Sequence, residues 1–170
     1  MLSGDWSSDV CSSDLTGLTG VKQLIAAFNH SLAVMDDGTL RAWGTNAFGM
    51  SGLGAVSEVS VPTQIPQLAG VVSAAGGYYH SAAVTADGKV WTFGSNEYGQ
   101  IGDGTFTNSL VPKEVPGLAG FVEVAAGFGH TYARNADGTV WSWGDDFEGE
   151  IGNGKAATHY LPVMSQITCN

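Results

Sequence analysis

Short runs in which apolar side chains dominate or alternate with polar ones follow one another along the chain, and none has the period of a helix. In the middle of the sequence, His80-Ser-Ala-Ala-Val84 and Val90-Trp-Thr-Phe93 are two such runs, each of strand length. Thr85-Ala-Asp87-Gly88-Lys89 separates them, and Asp-Gly favours the left-handed backbone of a tight turn, so the pattern predicts a β-hairpin. A third strand is predicted ahead of the histidine, at Val71–Ala75 and again at Phe121–Ala125. A fourth is predicted around Pro112, in Leu110–Val115, where a proline is tolerated at a strand start or a sheet edge.

The whole pattern recurs every fifty residues. Residues 21–70, 71–120 and 121–170 superimpose without insertion or deletion, and nine positions are identical in all three. They include His30, His80 and His130; Asp37, Asp87 and Asp137; Gly38, Gly88 and Gly138; and Gly44, Gly94 and Gly144. Five of the nine are glycines, which at fixed offsets read as backbone needing positive φ or close approach rather than as a linker. Four strands per repeat predict an all-β fold, a partial β-propeller of about three four-stranded antiparallel blades. Each fifty-residue copy is then one repeat, and Thr16–Gly20 aligns with the tail of an earlier one.

The segment from Met1 to Leu15 matches no copy. Asp5-Trp-Ser-Ser-Asp-Val-Cys-Ser-Ser-Asp-Leu15 resembles the translation of a short-read sequencing adapter and is set aside as artefactual. With Cys11 excluded, Cys169 remains alone and no disulfide framework is expected. Sixteen acids against six bases give a formal charge of −10, which disfavours capture of a nucleic-acid backbone. No apolar run reaches the ~18 residues of a membrane helix, so no membrane partner is expected. Acidity, few lysines and cysteine-free repeats are compatible with a bacterial surface or secreted protein.

After each hairpin comes the most distinctive stretch: Trp43-Gly-Thr-Asn-Ala-Phe-Gly-Met-Ser-Gly-Leu-Gly54, Phe93-Gly-Ser-Asn-Glu-Tyr-Gly-Gln-Ile-Gly-Asp-Gly104 and Trp143-Gly-Asp-Asp-Phe-Glu-Gly-Glu-Ile-Gly-Asn-Gly154. Following a His-Ser strand and an Asp-Gly hairpin, this stretch resembles the regulator of chromosome condensation repeat, over residues 16–162. The resemblance implies a seven-bladed parent propeller, with the missing blades as partners of both flanking faces.

The candidate chemistry is weighed against plainer roles. Three equivalent histidines invite a metal site, but equivalent residues of successive blades lie apart on a ring, whereas zinc needs ligands ~2 Å from the ion. A structural role is expected, with a ring nitrogen bonded to backbone, and no metal and no cofactor. Ser31, Ser81 and Thr131 each follow a histidine, and adjacent strand residues point to opposite faces, so each makes a poor nucleophile–base pair with its neighbour. Gly149 to Lys155 approaches a P-loop, but Ala156 stands where Ser or Thr is required. Asp145, Asp146, Glu148 and Glu150 read as a solvated acidic loop. Trp43, Phe93 and Trp143 share one offset and are expected to pack between blades. Phe28, Tyr78 and Phe128 share another, just before a strand, where with Tyr79 they become candidate partner contacts, Tyr79 being the more exposed.

No acid, base and nucleophile converge, so the expected function is a non-catalytic protein-interaction scaffold that binds a macromolecular partner, a protein, through propeller rim loops. The resemblance also implies guanine-nucleotide exchange on a small GTPase as an alternative, though the ungapped spacing leaves no room for an inserted exchange element. Enzyme inhibition, or service as a surface module of a larger protein, are further alternatives.

Overall fold

The computed structural model describes residues 18–164. The adapter-like segment, the start of the Thr16–Gly20 tail and the last six residues, with both cysteines, lie outside them. Among the described residues, twelve strands form three four-stranded antiparallel sheets, each paired in chain order. The first contains β1 (Val21–Ala26), β2 (His30–Met35), β3 (Leu40–Gly44) and β4 (Val59–Gln64). The second contains β5 (Val71–Gly76), β6 (His80–Thr85), β7 (Val90–Gly94) and β8 (Ser109–Glu114). The third contains β9 (Phe121–Ala126), β10 (His130–Asn135), β11 (Val140–Gly144) and β12 (His159–Met164). The sheets stack face to face, β5 against β1 and β2, and β9 against β5 and β6, as in a partial β-propeller.

The hairpin turns form where Asp-Gly predicts them. Asp37 Oδ1 accepts bonds from the backbone N–H and hydroxyl of Thr39 at 2.9 and 2.7 Å, and Asp137 does the same with Thr139. These donors hold the carboxyls of Asp37 and Asp137 below the usual range. The turn then locks the next connection, because Gly38 O accepts from Val71 N and Gly88 O from Phe121 N. At the other end of the hairpin, Gly44, Gly94 and Gly144 have φ of 108°, 112° and 107°. A Cβ on Gly44 would lie 2.6 Å from Asn29 O and 2.7 Å from His30 Cα, so both conformation and space require glycine.

The hydrophobic core lies between sheets. Leu32, Val34, Leu40, Ile65 and Leu68 of the first repeat meet Val71, Ala74, Ala83 and Phe93 of the second. Val84, Val90, Val115 and Leu118 of the second meet Phe121, Val124, Ala133 and Trp143 of the third. Because the middle sheet is covered on both faces, every residue of β6 is buried and the period-2 contrast in exposure disappears there.

Candidate functional site

Two sets of loops converge on one rim. The link between the first and second strands of each sheet lies beside the start of the long connection after the third, tied by Thr45 N to Asn29 O at 2.8 Å, Ser95 N to Tyr79 O at 2.8 Å and Asp145 N to Gly129 O at 2.9 Å. The Asp-Gly turns occupy the opposite end of the sheets.

Phe28, Tyr78 and Phe128 meet on this rim and form a row, with ring centroids 4.0 Å apart for the first pair and 4.4 Å for the second. Tyr79 joins it at 4.2 Å from Tyr78, and a hydrogen bond with Tyr78 pushes the Tyr79 phenol above its ordinary pKa. Phe28 and Phe128 are 58% and 55% exposed, while Tyr78 and Tyr79 are half-buried, so the flanking phenylalanines, not Tyr79, present the most surface. Together with alanines and glycines of the same loops, the row lines a shallow concavity of about 320 Å³.

Two aromatics belong to this surface that the sequence reading passed over. Phe48 packs on Tyr79 at 4.9 Å and Tyr98 on Phe128 at 6.3 Å, each reaching from one repeat to the next. They share an offset, which is a usable signal, but Glu148 stands at the equivalent place in the third copy and obscures it. The rim segments 27–29, 45–49, 77–79, 95–99, 127–129 and 145–150 contain Glu97, Asp145, Asp146, Glu148 and Glu150 and no lysine or arginine.

Beneath the rim the histidines join sheets. His30 Nε2 is 2.8 Å from Ser81 Oγ, and His80 Nε2 is 2.9 Å from Thr131 Oγ1. Each hydroxyl donates its own proton to a backbone carbonyl of the preceding repeat, Ser81 to Met50 O at 2.8 Å and Thr131 to Gln100 O at 3.0 Å. A hydroxyl has one proton, so it must accept from the imidazole, and Nε2 carries the hydrogen. For His30 and His80 this corrects the expected bond to backbone: the Nε2 of one copy uses the hydroxyl of the next. Burial holds His30 down to about 4 and His80 to about 3, the neighbouring imidazoles adding to the latter. Gln100 O takes a second donor, Trp143 Nε1 at 2.8 Å. Phe93 and Trp143 are fully buried against the preceding repeat, whereas Trp43, in the first copy, is half-buried.

The acidic loop also differs from its expected solvated state, because Asp146 is fully buried. Its Oδ1 accepts from Ile151 N at 2.9 Å, the bond that Asn46 makes to Ser51 N and Asn96 to Ile101 N. The loop folds over that side chain, so its burial follows from the repeat.

Sheets, loops and inter-sheet joints of this kind define a class, the repeat propellers. Family models of the regulator of chromosome condensation (RCC1) repeat match residues 37–84 and 87–134, and a second model of the same repeat matches 71–100 and 121–150. The chain belongs to the RCC1 repeat family. The 37–84 and 87–134 matches each run from one hairpin to the next, so each spans parts of two sheets. Among solved structures it is similar to yeast RCC1 (Prp20) with Kap60 bound, at 26% identity and a TM-score of 0.79 over 89% of this chain. It is equally similar to Prp20p of Saccharomyces cerevisiae, with the same three values. Human WBSCR16 shares 30% identity, with a TM-score of 0.77 over 85% of this chain. The chain spans 38%, 40% and 37% of the lengths of those three proteins.

Proposed function

We propose that this chain is a non-catalytic protein-interaction scaffold that docks a protein partner on its aromatic rim. The observation that carries the reading is the continuous row Phe28–Tyr78–Phe128, whose outer rings are more than half exposed. Exposed aromatics joined into one surface are the composition of interaction hot spots.

The absence of catalysis rests on the histidines. His30 and Ser81 stand at the distance of a base and a nucleophile, but Ser81 is fully buried and its proton is committed to Met50 O. The imidazole already holds a hydrogen on the facing nitrogen and has nothing to accept. The pair is a joint between sheets.

The test is direct. A protein partner recovered on the immobilised chain should be lost with the Phe28→Ala/Phe128→Ala double variant, while the melting temperature stays within a few degrees. A partner retained in full by that variant would sink the reading. Guanine-nucleotide exchange is a second reading, favoured by the likeness to Prp20p, whose structure is described with its binding to Gsp1p and histones. Accelerated release of labelled GDP from a small GTPase on adding this chain would establish it.

A further inference from the structure

We propose that the corner of the rim where Tyr98, Phe128 and Asp145 gather around Gly129, with exposed Glu97 next to Tyr98 in the chain, receives an arginine side chain from an extended segment of the partner. The proposal rests on the docking reading above and adds the chemistry of what docks.

Gly129 creates the corner. A Cβ there would lie 2.8 Å from Tyr98 Cδ2 and 3.2 Å from Asp145 Cβ, so only a bare backbone lets the ring of Tyr98 and the Cβ of Asp145, from successive repeats, both sit against it. Phe128, the neighbouring residue, sets its exposed ring 6.3 Å from that of Tyr98 with 54° between the planes, an open wedge. Asp145 is partly exposed and uses Oδ1 to hold Phe147 N at 3.3 Å; its Oδ2 has no partner among the described residues. Glu97, next to Tyr98, is exposed.

An aromatic face beside carboxylates attracts a cation, through the ring quadrupole and through direct pairing. The six rim segments contain no lysine or arginine, and among the described residues no ion pair engages Glu97 or Asp145. Arginine fits better than lysine, since a flat guanidinium can lie on a ring while its edge meets a carboxylate, and a compact ammonium cannot do both. From this corner the row continues through Tyr78 to Phe28 across three repeats, a track on which apolar side chains of an extended segment would rest.

The experiment measures binding of three fluorescein-labelled nonapeptides of alternating leucine and arginine, lysine or citrulline, the last keeping the shape of arginine without its charge. The intact chain should bind the arginine peptide roughly fivefold more tightly than the lysine one and at least about tenfold more tightly than the citrulline one. Asp145→Asn, Glu97→Gln and Phe128→Ala, all at accessible positions, should each weaken the arginine peptide by roughly threefold to tenfold. Equal binding of arginine and lysine, unaffected by Phe128→Ala, would reduce the effect to net charge and overturn the proposal. Equal binding of arginine and citrulline, lost with Phe28→Ala/Phe128→Ala, would overturn the arginine receptor and leave the aromatic docking surface standing. Failure of all three peptides to bind would also overturn the receptor, and partner loss in the double variant would then decide the docking reading separately.

Discussion

His80 Nε2 and Thr131 Oγ1, fifty-one positions apart in sequence, share a fully buried hydrogen bond of 2.9 Å that ties the second sheet to the third. Thr131→Val keeps the shape of the side chain and removes both the acceptor for His80 and one of the two donors to Gln100 O. Leaving a buried N–H without a partner costs about 1–3 kcal/mol. Urea denaturation should show a loss of that size, with Thr131→Ser restoring most of it. An unchanged midpoint for Thr131→Val would mean the bond contributes nothing.

The same joints make stability depend on pH. Folded His30 and His80 titrate at about 4 and about 3, against about 6.5 in an unfolded chain. Between those values the unfolded state binds more protons, so the contribution of the two neutral imidazoles is complete above pH 6.5 and is lost as the pH falls, down to about 4 for His30 and about 3 for His80. The slope approaches about 1.4 kcal/mol per pH unit for each histidine. Unfolding free energies measured from pH 7.5 to 4.5 should decline with an uptake approaching two protons, and a flat profile would contradict the assignment.

Trp143 seats on Gly102, where a Cβ would lie 2.6 Å from its Nε1 and where φ is +73°. Gly102→Ala therefore combines a clash with backbone strain and should cost at least about 2 kcal/mol. Trp143→Phe should cost less, about 1–2 kcal/mol, because Phe93 already fills the equivalent place on Gly52 and the losses are the bond to Gln100 O and part of the buried ring volume. Thermal melts of both variants give the comparison, and a costlier Trp143→Phe than Gly102→Ala would reverse the argument.

Asp146→Asn should stabilise the protein. The amide keeps the oxygen that accepts from Ile151 N, gives up the longer 3.4 Å bond that Oδ2 takes from Ala157 N, and removes a buried charge whose histidine neighbour, His159, is 4.0 Å away. Asn46 and Asn96 show that the amide fits, and each donates to a carbonyl across its loop, Ala55 O and Thr105 O. A gain of about 1 kcal/mol at neutral pH is expected. A loss would show that His159 and Asp146 act as a compensated pair.

The strands and turns were legible because their causes are local. Asp-Gly, alternation and a proline near a sheet edge act within a few residues, and β5 to β8 fall within a residue or so of the predicted runs. The partner of each histidine was not legible, since the hydroxyl that it uses is brought in by stacking from the next repeat. Adjacent residues do point to opposite faces, which separates His80 from Ser81, but it also delivers Ser81 to His30. Phe28, Tyr78 and Phe128 were found from their shared offset. Tyr98 and Asp145 were not, because their meeting across Gly129 depends on how two loops from different repeats cross.

Each joint between sheets has a sense of direction: imidazole points forward in the chain, and the hydroxyl and the large aromatic ring reach back to the glycine loop before them. The two faces of a sheet are therefore unlike and complementary. A twofold axis places like surfaces against each other, so a symmetric dimer cannot reproduce the joint that holds neighbouring sheets together. An assembly that repeats this joint runs in a single polarity, toward either a closed circle or an open-ended array.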